Sequence, residues 1–184
     1  MTRRSRAVHS AAIALALAFI AAAPVGAAQP TRSIRALHPT VIPAGSACAF
    51  DVIGDPQLSP TSHAALQSGG FVAETDFSNG DVTFSVRGRG AYVNLETGAR
   101  FPTVDSWHEL DRFYPATGIL VFATDGQTSF TLLPGDVGPF GVVGSNGAFF
   151  HIVGTTTATY DTVAGHVLQF SYTGTVTDIC AALS

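Results

Sequence analysis

The densest group of residues able to do chemistry in this chain is Asp105-Ser-Trp-His-Glu-Leu-Asp111. Asp105, His108, Glu109 and Asp111 surround Trp107, and a carboxylate–histidine set of this kind can hold a divalent ion or move a proton. The spacing matches no established ligand framework. On a strand, Asp105, Glu109 and Asp111 would share one face and His108 would lie on the other. Two readings stand side by side: a site built on Asp105, His108 and Glu109, or a solvated stretch with Trp107 as its anchor. No metal set or cofactor motif can be specified from the spacing.

The remaining candidates are weaker. Of the other histidines beyond the N-terminal region, His38, His63, His151 and His166, His151 sits inside Phe149-Phe-His-Ile-Val153 and reads as a hydrogen-bonded strand histidine. His166 abuts a turn. Gly144-Ser-Asn-Gly147 lacks the leading glycine of a nucleophile elbow, since position 143 is Val. Gly88-Arg-Gly90 is too short for a phosphate-binding loop. Tyr92, Trp107, Phe113 and Tyr114 are the aromatics that could form an exposed platform, against the commoner fate of core packing.

The elements that must position these groups are strands. In His166 to Cys180, Leu168, Phe170, Tyr172, Gly174 and Val176 alternate with Gln169, Ser171, Thr173, Thr175 and Thr177. That is period-two patterning, apolar on one face and largely hydroxyl on the other. Cys180 shares the apolar parity. Cys48 shares a parity with Phe50 and Val52 in a strand expected over Cys48 to Ile53. Both sulfurs should therefore point inward, and a Cys48–Cys180 bridge would close more than a hundred residues. Two buried free thiols are the alternative.

The N-terminus favours the bridge. Arg3, Arg4 and Arg6 precede an apolar run from Ala11 to Ala23, followed by small residues to Ala28. This reads as a secretory signal peptide over 1–28, removed on export to an oxidising compartment. Residues 29–46, with Pro30, Pro39 and Pro43, read as an extended lead-in, ordered near Ser33 to Leu37. Residues 47–184 read as one β domain.

Nine basic residues stand against thirteen acids, and lysine is absent. Loss of Arg3, Arg4 and Arg6 leaves six arginines against thirteen acids, a formal charge of −7. A dispersed acidic balance disfavours nucleic acid and anionic lipid, so no nucleic acid and, after signal cleavage, no membrane is expected as a partner.

Turn signals are frequent. Asn79-Gly80 is the strongest hairpin signal. Gly88-Arg-Gly90, Glu96-Thr-Gly98, Asp125-Gly126, Pro134-Gly-Asp136, Asn146-Gly147 and Gly165 also read as turns. Thr61 to Gly70 is the one plausible helical turn after the signal. Trp107 to Tyr114 reads as irregular or strand, and Gly138 to Gly147 as an edge or a returning loop. Nine or ten short strands at this spacing indicate an all-β fold, an antiparallel β-sandwich or flattened β-barrel with one disulfide, Cys48–Cys180.

Three segments carry a resemblance: Cys-Ala-Phe-Asp-Val (Cys48 to Val52), Asn-Leu-Glu-Thr-Gly (Asn94 to Gly98) and the closing Gly-Thr-Val-Thr-Asp-Ile-Cys-Ala-Ala-Leu (Gly174 to Leu183). With the signal peptide, the chain resembles a family of uncharacterised small secreted actinobacterial β-rich proteins. The resemblance implies an extracellular location and a β-rich domain, and it implies no activity. The Trp107 to Tyr114 stretch and Gly138 to Gly147 fall outside it.

Three functions follow as expectations. The first is a non-enzymatic extracellular binding or interaction module with an extracellular partner or small ligand. The second is a β-barrel whose lumen holds a small hydrophobic ligand. The third is a cryptic enzyme or metal site around Asp105, His108 and Glu109.

Overall fold

The computed structural model describes residues 28–55 and 70–184. The signal peptide over 1–28 and the helical turn expected over 61–70 fall almost wholly outside these residues. The described strands are β1 (Thr31–Ala36), β2 (Thr40–Ile42), β3 (Val52–Asp55), β4 (Gly70–Asp76), β5 (Val82–Asn94) and β6 (Arg100–Tyr114). They continue with β7 (Ile119–Leu132), β8 (Val137–Gly138), β9 (Gly141–Val142), β10 (Ala148–Asp161) and β11 (His166–Asp178), and the chain ends in one helical turn, α1 (Ile179–Ala182). The fold is all-β and antiparallel, as expected.

Nine strands form one sheet with the path β1-β4-β5-β6-β7-β10-β11, which does not return on itself. β3 pairs with β5 beyond the end of β4: Val82 to Gly88 face β4, and Ala91 to Asn94 face β3. β2 lies outside β3, and β8 with β9 make a separate small hairpin. The lead-in is therefore built into the sheet through β1 and β2.

Two expected turns are not turns. Gly88-Arg-Gly90 lies within β5, and Asp125-Gly126 within β7. The reason is visible in parity. Phe122, Thr124, Gly126 and Thr128 keep to the more buried face of β7 without interruption, and the neighbouring ladder continues through all of them. Gly126 serves a different purpose. It pairs with Gly154 of β10, which pairs with Gly174 of β11. All three have positive φ (123°, 144° and 105°), and a Cβ on any of them would run into a neighbouring backbone carbonyl oxygen. Glycine is used here to bend three strands along one line, with Trp107 the β6 member of that row. Asn79-Gly80 does close the β4–β5 hairpin, with Gly80 at φ 87°.

β11 alternates as read, and it is the last strand of the sheet path. Phe170 and Val176 pack against Leu132, Phe150, Ile152 and Ala158, whereas Leu168 and Tyr172 remain substantially exposed. The register shifts between Thr159 and Tyr160 of β10, where Leu168 is the extra residue of a bulge near the start of β11.

The disulfide joins Cys48 and Cys180 with Cα atoms 5.4 Å apart, across 132 residues. Neither cysteine lies on a strand. Cys48 sits in the bend before β3, and Cys180 in α1, which begins because the Asp178 carboxylate accepts a hydrogen bond from Ala181 N–H (3.0 Å). Burial of Cys48 came from its bend packing onto Val52, Phe149, Ile179 and Leu183 and not from strand parity. Asn94 completes this cluster. Its amide donates to the Leu183 carbonyl at 3.0 Å, and its side-chain oxygen accepts from Glu96 N–H and Thr97 N–H. Segments far apart in sequence thus meet in one buried knot.

Two outcomes follow. The Cys48→Ala/Cys180→Ala pair should lower unfolding free energy by about 4–5 kcal/mol in denaturant titrations, the loop-entropy value for so long a closure. Gly154→Ala should cost more than about 1 kcal/mol in the same titration, because the residue needs positive φ.

Candidate functional site

β6 carries the polar cluster and sorts it by parity. Asp105, Trp107, Glu109 and Asp111 point to the more buried face, and Ser106, His108, Leu110 and Arg112 to the exposed one. Asp105 and Glu109 therefore leave the strand on the face opposite His108, and the three do not converge on a common ion or proton. Among the described residues, no group of three or more His, Cys, Asp or Glu side chains is arranged to hold a metal.

On the inner face, Asp105 lies beside a cavity of about 160 Å³ lined by Leu37, His38, Gly54, Tyr92 and Thr103 among others. Burial pushes its carboxyl up from 3.8 to about 6, opposed by the Thr103 hydroxyl. Tyr92 is half-buried, edge-on against Phe149 (ring centroids 4.6 Å apart), so it packs on the core and forms no platform. Its phenol is raised, by burial first and by the Asp105 charge second.

Glu109 accepts a hydrogen bond from the Thr124 hydroxyl at 2.8 Å. Burial raises its carboxyl from 4.5 to about 7, and the neighbouring Asp111 adds to the shift. Asp111 is raised as well, chiefly by burial, and its Oδ1 is buried without a hydrogen-bond partner among the described residues. The cross-strand row continues from Glu109 through Thr124 to Thr156, whose buried hydroxyl likewise has no partner among the described residues. The inner face of β6 is thus a stripe of carboxyls whose ionisation burial shifts upward. Such a stripe can store protons, and it opposes the burial of a wholly apolar guest.

On the outer face, His108 Nδ1 lies 2.8 Å from Ser85 Oγ of β5. The same cross-strand row runs Ser85, His108, Asp125, Thr155, Thr173 over five strands. The Thr155 and Thr173 hydroxyls are 2.6 Å apart. A shallow trough of about 510 Å³ follows this row, lined by Thr83, Ser85, His108, Asp125, Thr155 and Thr157 among others. Asp125 read as a turn residue, and nothing in the local sequence singles out Ser85. Only the register, which is not a local property of the sequence, brings them beside His108.

His151 and His166 have structural roles. His151 is buried against Ser129 Oγ (3.1 Å), as its strand context indicated, and burial lowers its pKa. His166 bonds the buried Asp136 (3.1 Å), which also accepts from Val167 N–H and Leu133 N–H. His38 lines the cavity beside Asp105. His63 lies outside the described residues. Phe113 and Tyr114 are exposed where β6 ends.

Comparison with protein-family models, curated proteins and solved structures returns no match.

The raised carboxyls fix a sign. Asp105, Glu109 and Asp111 hold protons in the folded state that the unfolded chain releases at lower pH. Their contribution to stability is complete below about pH 4 and is lost as pH rises through about 6 to 7. Asp81, held low by Arg112, and Asp161, held low by the Ala164 and Val163 N–H groups, act in the opposite sense below pH 3.8. His151, whose pKa burial lowers, also acts in the opposite sense, as pH falls below 6.5. In thermal unfolding between pH 4 and 8, Glu109→Gln should therefore make the change of Tm with pH less negative than in the wild type and raise Tm at pH 8. An unchanged slope in Glu109→Gln would show that Glu109 ionises normally.

Proposed function

We propose that the protein is exported and acts outside the cell as a non-enzymatic binding module, with the trough over His108 as its ligand surface. The observation that carries this reading is the exposed row Ser85, His108, Asp125 and Thr155, four hydrogen-bonding side chains on four adjacent paired strands. Strands lie about 4.8 Å apart, so the row offers donors and acceptors at regular intervals across a rigid support. An extended, hydroxyl-rich ligand such as an oligosaccharide presents complementary groups at a comparable repeat. Leu110, partly exposed beside the row, supplies an apolar patch for a sugar ring face.

Export is supported by the arginine-led apolar N-terminus and by the disulfide that closes the chain. The hydrophobic-ligand alternative has less support, because the inner face of β6 carries three carboxyls. The enzymatic alternative has less support, because Asp105 and Glu109 lie across the sheet from His108.

Titration of the purified mature protein with soluble oligosaccharides, followed by amide chemical shifts, tests the reading. Shifts should cluster on β5, β6, β7 and β10 around His108. His108→Ala should weaken binding about tenfold, the equivalent of about 1.4 kcal/mol. Shifts confined to other strands, or turnover of substrates in a hydrolase panel, would refute it. The secreted protein should have the mass of a chain cut near Ala28, less two hydrogens for the bridge.

A further inference from the structure

The ladder sorts charge that the sequence scatters. Residues directly opposite each other in an antiparallel pair point to the same side of the sheet, so the register carries one face from strand to strand. On β1, β4, β5 and β6, the face that carries His108 holds Arg32, Arg87, Arg89, Arg100 and Arg112. These are five of the six arginines that follow the N-terminal region. The acids of the same four strands, Glu74, Asp76, Asp105, Glu109 and Asp111, all lie on the opposite face. A chain with an excess of acids thus presents one face that is free of carboxylates across these four strands.

Two of the arginines border the trough. The row of Ser85 and His108 runs back through Ala73 to Ile34. On one side of it lies the row Arg32, Thr75, Thr83, Leu110, and on the other the row Phe71, Arg87, Ser106. Residues two apart on a strand are about 7 Å apart, so Arg87 stands within side-chain reach of a group bound at Ser85. Both Arg32 and Arg87 are exposed, and neither is in an ion pair among the described residues. The stretches 1–27 and 56–69 contain no aspartate or glutamate. Arg35, on the opposite face, is by contrast paired with Glu74 (3.4 Å), and Arg112 with Asp81 (3.0 Å). At the β7 end of the row stands the exposed Asp125. The trough therefore runs from cationic on its β5 side to anionic on β7.

We infer, resting on the reading of the trough as a sugar surface, that its ligand is an acidic oligosaccharide with its carboxylate at one end. The carboxylate lies over Arg87 and Arg32, and uncharged sugar hydroxyls lie across His108 and donate to Asp125. A guanidinium takes a carboxylate through two parallel N–H···O bonds, which fixes the direction of the sugar chain as well as its charge. A neutral glycan would leave both guanidiniums unused. A polyanion charged at every unit, as a nucleic acid is, would set its next charges against Asp125.

Titration of the oxidised mature protein with two sugars, followed by amide chemical shifts, tests the inference. One is cellotriose whose non-reducing sugar is oxidised at C6 to glucuronic acid, and the other is cellotriose itself. At low salt the acidic sugar should bind about fivefold more tightly, the upper range for an exposed ion pair. Its shifts should include Arg87 as well as the residues around His108, and its advantage should fade as salt rises. Arg87→Gln should abolish most of the advantage and Arg87→Lys should keep part of it. Arg35→Gln, which removes the same charge from the opposite face, should leave it intact. Equal binding of the two sugars at the His108 row would overturn the inference and leave the trough as a sugar surface. Binding of neither sugar there would overturn both. An advantage that survives the Arg32→Gln/Arg87→Gln pair, or tighter binding of a six-nucleotide oligothymidylate than of the acidic sugar, would also overturn the inference.

Discussion

The sheet depends on a knot at one of its ends. Cys48 and Cys180 bring the two ends of the described chain together, and the bond stands among Val52, Phe149, Ile179 and Leu183, all almost wholly buried. Asn94 ties the same place to β5 by donating to the Leu183 carbonyl, while its oxygen holds the turn that leads into β6. A buried asparagine with its donor and acceptors engaged is stabilising, whereas one left unpaired would be costly. Because the knot sets where β3 meets β5 and where β10 begins, it supports the register of the strands between them. That register in turn decides which side chains face each other across β5, β6, β7 and β10.

The class of fold and the bridge were legible in the sequence because both rest on local periodicity and on composition. Strand limits were less legible. Gly126 and Gly88 look like turn glycines from their neighbours, yet each lies within a long strand, because glycine serves a bent strand as readily as a turn and only the pairing partner tells which. Cys180 was assigned the right direction for the wrong reason, since Asp178 starts a helical turn that the alternation before it does not announce.

For the polar cluster, parity along β6 separated His108 from Asp105, Glu109 and Asp111 correctly, and no more than that was available from β6 alone. Ser85 and Asp125 flank His108 through pairings 23 and 17 residues away in sequence. Their identity as neighbours is a property of the ladder. Likewise the upward shift of Glu109 follows from burial behind Thr124, on a face that would have been solvent had the register slipped by one residue.

The glycine row adds a mechanical consequence. Gly126, Gly154 and Gly174 remove side chains along one line across β7, β10 and β11, so stiffness from cross-strand packing is lowest there. The sheet has a crease, and flexing between its two halves concentrates on it. Trp107, the sole tryptophan of the chain, stands at the end of that crease on β6. The one large indole of the chain therefore borders the line along which the sheet bends, and any change in that bend changes its surroundings first.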